Sequence, residues 1–288
     1  MQPDYHLDRY AVLGNPVAHS RSPFIHAQFA QQTGQAVAYE RVLCPMNGFA
    51  ASVRDFAALG GRGCNVTVPF KFDAPALAAH VTERALLAGA ANVLRLDTGG
   101  WWADNSDGVG LVRDIEGGAG VVLAGKRVLL VGAGGASAGA LGPLLQARPS
   151  HVVVANRTLA KAQALIGRHA AVAAAHGVYL SAAGLQDAGA AFDVVLNASA
   201  SSLQGAAVPV HPRMLAPGAL ALDLMYGPAA RPFLAWASAA GAVPRDGLGM
   251  LVEQAAEAFH FWRGVRPLTA PVLLALRAAL QADVEAGR

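Results

Sequence analysis

Cysteine is nearly absent. The 288 residues hold two, Cys44 and Cys64, with no CxxC pair and no Cys/His cluster at metal-ligand spacing. That excludes a disulfide framework and a zinc site, and no metal ion is expected. A reducing, cytoplasmic compartment is expected. Charge is also sparse, at 14% of residues against 54% hydrophobic, with a net charge of +3. The 22 Lys and Arg residues form no run and are not interleaved with aromatics, which argues against a nucleic-acid partner. The N-terminal stretch Met1–Gly14 meets charged residues before any apolar run long enough for an export signal. From Val128 to Ala147 no side chain is ionisable, so on length alone this stretch passes as a membrane span. Several glycines and Pro143 break it instead into a strand, a turn and a helix, and no membrane partner is expected.

What is present is apolar periodicity and enough chain for two cores at about 100 to 200 residues per domain. Short apolar strands (Arg9–Gly14, Val37–Cys44, Gly63–Val68, Ala90–Leu96) alternate with helical stretches, one opening at Ser22-Pro23, and predict an α/β fold. From about Val109 the texture becomes βαβ, with nearly uncharged strands of the kind buried in a parallel sheet. The tail returns to helices over Glu253–Trp262 and Ala270–Leu280.

In that second half, Gly132-Ala133-Gly134-Gly135-Ala136 follows the strand VLLV and opens a helix. Backbone there can approach a pyrophosphate closely, and the helix start supplies N–H groups and partial positive charge. Ser137 stands at the sixth position of the GxGxxG pattern, so an ordinary tight βα connection is the alternative reading. The next strand ends in Asn156-Arg157-Thr158, where NAD enzymes place an acid to hold the adenosine ribose. Here no carboxylate is present, Arg157 offers a planar fork to a 2′-phosphate, and Lys161 follows one turn on. NADP is therefore expected over NAD, against the alternative that Arg157 is a solvated strand-end residue.

Three other segments carry polar residues. Ser20-Arg21-Ser22-Pro23 puts hydroxyls at a helix start that can hold a carboxylate, although Ser22 also reads as a plain N-cap. Asn65 to Lys71 alternates like a half-buried strand and ends in a lysine, a residue type that is usually solvent-facing at such a position. Asp104-Asn105-Ser106-Asp107-Gly108 is dense in turn formers and reads as a loop.

Taken together, Gly14 to Pro23, Asn65 to Lys71 and Asp104 to Gly108 resemble the shikimate dehydrogenase family in order and spacing, and Gly132–Ser137, Asn156–Thr158 and Gly247–Phe259 extend the likeness nearly end to end. The resemblance implies an N-terminal substrate domain, residues 1–108 with 247–288, enclosing a cleft against a Rossmann domain, residues 109–246. It implies reversible NADPH-dependent reduction of 3-dehydroshikimate to shikimate, on the route to aromatic amino acids. Carried over residue by residue, Ser20 and Ser22 bind the substrate carboxylate with Tyr226 nearby, and Thr67, Lys71, Asn92, Asp107 and Gln254 line the hydroxyl-bearing edge. Gly132 to Ala136 cradle the pyrophosphate, Asn156, Arg157, Thr158 and Lys161 hold the 2′-phosphate end, and Gly249 and Met250 lie near the nicotinamide.

Hydride arriving at a carbonyl leaves negative charge on oxygen, so a cation or proton donor is required there. The resemblance gives this to Lys71, with Asp107 as the opposing charge that offsets its desolvation. Ser202, in a place where the family commonly has glycine, and Lys161, where arginine is frequent, are departures on the cofactor side. His19 and His26 read as structural. Two competitors remain: an NAD-using quinate/shikimate dehydrogenase, against which Arg157 and Ser22 argue, and a ligand-sensing protein on the same fold, which has no use for Lys71 and Asp107. Monomer and homodimer are both compatible with the sequence.

Overall fold

The computed structural model describes residues 7–199 and 210–285. The chain folds as two compact units, one taking residues up to Ser106 together with those from Val252 onward, the other Asp107–Leu251. Ala200, Ser201 and Ser202 lie outside the described residues.

The first unit is built on a mixed sheet whose strands are β1 (Asp8–Gly14), β2 (Val37–Leu43), β3 (Gly61–Val66), β4 (His80–Val81), β5 (Val93–Arg95) and β6 (Trp102–Asp104). Their spatial order is β2-β1-β3-β5-β6-β4. The first three run parallel, and β5 runs against both β3 and β6. Because side chains alternate along a strand, β1 divides its residues between two layers. Ala11 and Leu13 join a cluster with Phe49, Phe56, Phe70 and both cysteines. Tyr10 faces the other layer, where Phe29, Tyr39, Phe259 and Trp262 gather around His26.

His26 is fully buried on the helix Ser22–Thr33, and burial pushes its imidazole down to a pKa of about 3. The folded value lies below the ordinary 6.5, so the unfolded chain takes up the proton first as pH falls. His26 thus imposes no penalty above about pH 6.5, and below it stability declines by about 1.4 kcal/mol per pH unit towards pH 3. His169, also buried and also lowered by desolvation, acts with the same sign. Chemical denaturation of wild type and His26→Phe at pH 7 and pH 5 checks the assignment. The variant is expected to lose less stability over that interval, and equal losses would contradict it.

The second unit carries β7 (Arg127–Val131), β8 (His151–Ala155), β9 (Tyr179–Ala183), β10 (Phe192–Asn197), β11 (Leu215–Asp223) and β12 (Val243–Arg245). All its pairings are parallel, in the order β12-β11-β10-β7-β8-β9. That is the doubly wound dinucleotide-binding arrangement, in which the sequence order reverses beside the first strand and leaves a crevice at the strand ends. Val128 to Val131 are fully buried, as a central strand covered on both faces requires. The uncharged stretch from Val128 becomes β7, a turn and the helix Gly135–Gln146. No helix among the described residues is long and apolar enough to cross a membrane.

Candidate active site

In the first unit the sheet brings the expected residues to one end. The carboxyl ends of β1, β3 and β6 and the start of antiparallel β5 share that edge, and Ser20, Ser22, Thr67, Lys71 and Asn92 all lie just beyond it.

Ser22 is the first residue of its helix rather than the N-cap; Arg21 takes that position and makes no side-chain cap bond. No acid of the helix itself occupies its first turn, and the N-cap Arg21 pairs with Asp283 at 2.8 Å. Ser20 donates its hydroxyl to Ser22 Oγ at 3.1 Å and accepts the Ser22 N–H at 3.3 Å. Arg41 grips the Ser20 carbonyl with two N–H groups, at 2.9 and 2.6 Å. The sequence reading missed Arg41, which with Glu40 forms a charged pair of neighbours on a strand of apolar residues and Tyr39.

The strand expected through Val68 stops at Val66. Lys71 lies instead on a short 3-10 turn, Phe70–Phe72, and is half-buried. Its carbonyl accepts the Ala91 N–H at 2.8 Å, which fixes the turn to the residue before Asn92. Asn92 is buried and donates its amide to Ser106 Oγ at 3.0 Å and to Gln254 Oε1 at 3.2 Å. Ser106 returns its N–H to Asn92 Oδ1 at 2.8 Å. These bonds turn the Gln254 oxygen towards Asn92 and Ser106, so its N–H₂ end is the one aimed elsewhere.

The acidic segment is less of a loop than its composition suggested, since Asp104 ends β6 and Asp107 begins the helix Asp107–Arg113. Asp104 is 1% exposed and fully engaged as a structural acid. It accepts from Thr82 and from Arg84 Nε, both at 2.6 Å, and from the Asn105 N–H at 2.8 Å. Arg84 also bonds Glu257, at 2.9 Å. Burial pulls the Arg84 pKa down, but its two acidic partners more than offset this and hold it above the ordinary value.

Asp107, Tyr226, Gly249 and Met250 belong to the second unit. There the glycine turn lies at the carboxyl end of β7, with Gly132 at φ +112 and a Cβ at that position only 3.0 Å from the Ala198 carbonyl. A side chain is excluded, and the helix Gly135–Gln146 starts at once with no acid in its first turn. Arg157, Thr158 and Lys161 are exposed beyond β8, and Asn156 donates to the Thr158 carbonyl at 2.9 Å. A close-approach turn, a helix start without an acid and two cations beyond β8 fit a nucleotide bearing a 2′-phosphate. At the ends of β10 and β11, buried Asn197 donates to Asp223 at 3.1 Å and Ser199 donates to Asn197 at 2.7 Å, a polar cluster in the segment that the sequence reading noted only for Ser202.

Gly249 packs against the carboxylate of Asp114, which Arg245 holds at 3.0 and 2.5 Å. A Cβ on Gly249 would overlap that buried carboxylate. Gly249→Ala is expected to destabilise the protein by about 3 kcal/mol, through overpacking and disturbance of a buried ion pair. Urea denaturation checks this, and an unchanged midpoint would contradict it.

Residues 12–94 match the family model of the shikimate dehydrogenase substrate binding domain, residues 117–206 that of shikimate / quinate 5-dehydrogenase, and residues 247–277 that of the shikimate 5′-dehydrogenase C-terminal domain. The chain belongs to the shikimate dehydrogenase family. It is 63% identical over 280 residues to shikimate dehydrogenase (NADP(+)) of Methylibium petroleiphilum, covering 95% of each chain. Among solved structures, the Ael1 enzyme of Pseudomonas putida matches with 46% identity and a TM-score of 0.83, over 93% of this chain and 98% of that one. The shikimate 5-dehydrogenase of Thermus thermophilus, solved with NADP(H) and shikimate, matches with 31% identity and a TM-score of 0.83, over 95% and 100%.

Proposed function

We infer that this protein is an NADP-dependent shikimate dehydrogenase, interconverting 3-dehydroshikimate and shikimate in the cytoplasm on the route to aromatic amino acids. The observation that carries the reading is the 63% identity to a relative of that name over nearly the whole chain. The hydroxyl pair, the lysine turn and the buried amide cluster gathered at one sheet edge support it.

The substrate is a ring with a carboxylate at one end and oxygens at the other. Ser20 and Ser22, at a helix start with no acid in its first turn, hold the carboxylate, aided by Tyr226. Thr67, Asn92 and Gln254 take the hydroxyl-bearing edge, with the N–H₂ of Gln254 as donor. NADP, on Gly132–Ala136, Asn156–Thr158, Lys161 and Gly249–Met250, supplies or accepts the hydride. Lys71 holds a proton at the reacting oxygen and neutralises the charge that grows there, while Asp107 fixes a neighbouring hydroxyl. Following loss of nicotinamide absorbance as NADPH meets 3-dehydroshikimate, with the product resolved by chromatography, tests the reading. Shikimate is the expected product, and no consumption would overturn it.

A further inference from the structure

Asp114 is a buried acid, its side chain 2% exposed, and the Arg245 side chain that covers it is 19% exposed. The two meet in a fork: Arg245 donates from Nε to Oδ2 at 3.0 Å and from a terminal nitrogen to Oδ1 at 2.5 Å. The carboxylate holds the guanidinium above its ordinary pKa. An apolar pair of similar volume often serves stability as well as a buried ion pair does, so such a pair accounts for geometry better than for stability. The geometry here joins two segments of the second unit. Asp114 opens a π turn, Asp114–Gly118, that continues the helix Asp107–Arg113. Arg245 ends β12, and after Asp246 and Gly247 the helix Leu248–Arg263 begins. Backbone closes on the pair from both segments, since a Cβ on Gly118 would overlap Arg245 and Asp114, and one on Gly249 would overlap Asp114. The carboxylate therefore lies against the first turn of the helix Leu248–Arg263, which has no acid of its own there and favours a negative charge. That turn is pinned at two points: the Gly247 N–H donates to the Met225 carbonyl at 2.8 Å, and Gly249 rests on Asp114.

We propose that Asp114 and Arg245 are positioning residues for the nicotinamide: by fixing Gly249 they set where Gly249 and Met250 meet that ring. The inference rests on the assignment of Gly249 and Met250 to the nicotinamide end of NADP. Neither member of the pair has to touch the cofactor. A pair that only held the unit together would, when broken, weaken every part of the nucleotide site alike. One that fixes Gly249 acts at the nicotinamide alone, because the pyrophosphate turn follows β7 and the 2′-phosphate residues follow β8.

The test is Asp114→Asn, which keeps the shape of the side chain and removes its charge. Calorimetric titration compares NADPH with 2′-phospho-ADP-ribose, which has the adenosine, the 2′-phosphate and the pyrophosphate but no nicotinamide. The Kd for NADPH is expected to rise about tenfold, the scale of one lost charge-assisted hydrogen bond, with the Kd for 2′-phospho-ADP-ribose within about twofold of wild type. If Asp114→Asn does not fold, Arg245→Lys, which keeps the charge and loses the fork, carries the same expectation of a selective loss for NADPH. An unchanged Kd for NADPH overturns the proposal. So does equal weakening of both ligands, which reports a general loosening of the unit. A wild-type protein that does not bind NADPH would instead defeat the underlying assignment, and that result is distinct from tight wild-type binding with an unaffected variant.

Discussion

Lys71→Ala is expected to lower kcat for shikimate oxidation by about 10³-fold, within the range for loss of a positioned proton-transfer group, while KM moves by no more than a few-fold. Charge develops on the reacting oxygen only as hydride moves, so an ammonium placed for that moment contributes to the transition state more than to binding. Steady-state kinetics over a range of shikimate concentrations separates the two parameters. A variant with wild-type kcat would remove Lys71 from the chemistry, and one altered only in KM would make it a binding residue. The geometry is compatible with the first role: Lys71 lies on a short turn whose backbone is tied to the residue before Asn92, so the amine is carried on a fixed base.

The second large effect falls on the cofactor. Arg157→Ala is expected to raise the KM for NADP⁺ about 30-fold while leaving the rate with NAD⁺, whatever its size, unchanged, since a charge-assisted bidentate contact to a 2′-phosphate contributes about 1.5 to 3 kcal/mol. Initial rates at varied NADP⁺ and NAD⁺ measure both. Equal loss with the two nucleotides would show that Arg157 shapes the loop and does not read the phosphate. Arg157 is exposed at the end of β8, as a group meeting a ligand from solvent has to be.

Much of the fold was legible in the sequence because its strands are short apolar runs bounded by glycine and proline. Asp8–Gly14 and Val37–Leu43 lie within a residue of expectation. The glycine turn after VLLV opens a helix as anticipated. Periodicity failed where a pattern outlasted its element. Asn65 to Lys71 alternates throughout, yet pairing ends at Val66 and Pro69 leads into a 3-10 turn. The acid-rich run misled in the other direction, because turn-forming composition concealed a strand end and a helix start.

The site was legible where chemistry forced unusual residue types and obscure where it relied on supporting ones. Lysine is scarce in this chain, at Lys71, Lys126 and Lys161, and arginine is its default cation. Lys71 by itself read as a solvent-facing residue, and it was the family motif around it that marked it as a site residue. Arg41 and Arg84 sent no such signal, since each is recognisable only by what it touches: the Ser20 carbonyl and Asp104. Long-range partners of that kind are set by topology, which spacing along the chain does not encode.

The most direct test of the central claim is the initial rate of nicotinamide reduction by purified protein in four combinations, shikimate or quinate with NADP⁺ or NAD⁺. Strong turnover with shikimate and NADP⁺ alone is the predicted result. Comparable rates with quinate and NAD⁺ would contradict it and place the protein on the quinate-using branch, and no turnover in any combination, with ligand binding intact, would make it a sensor.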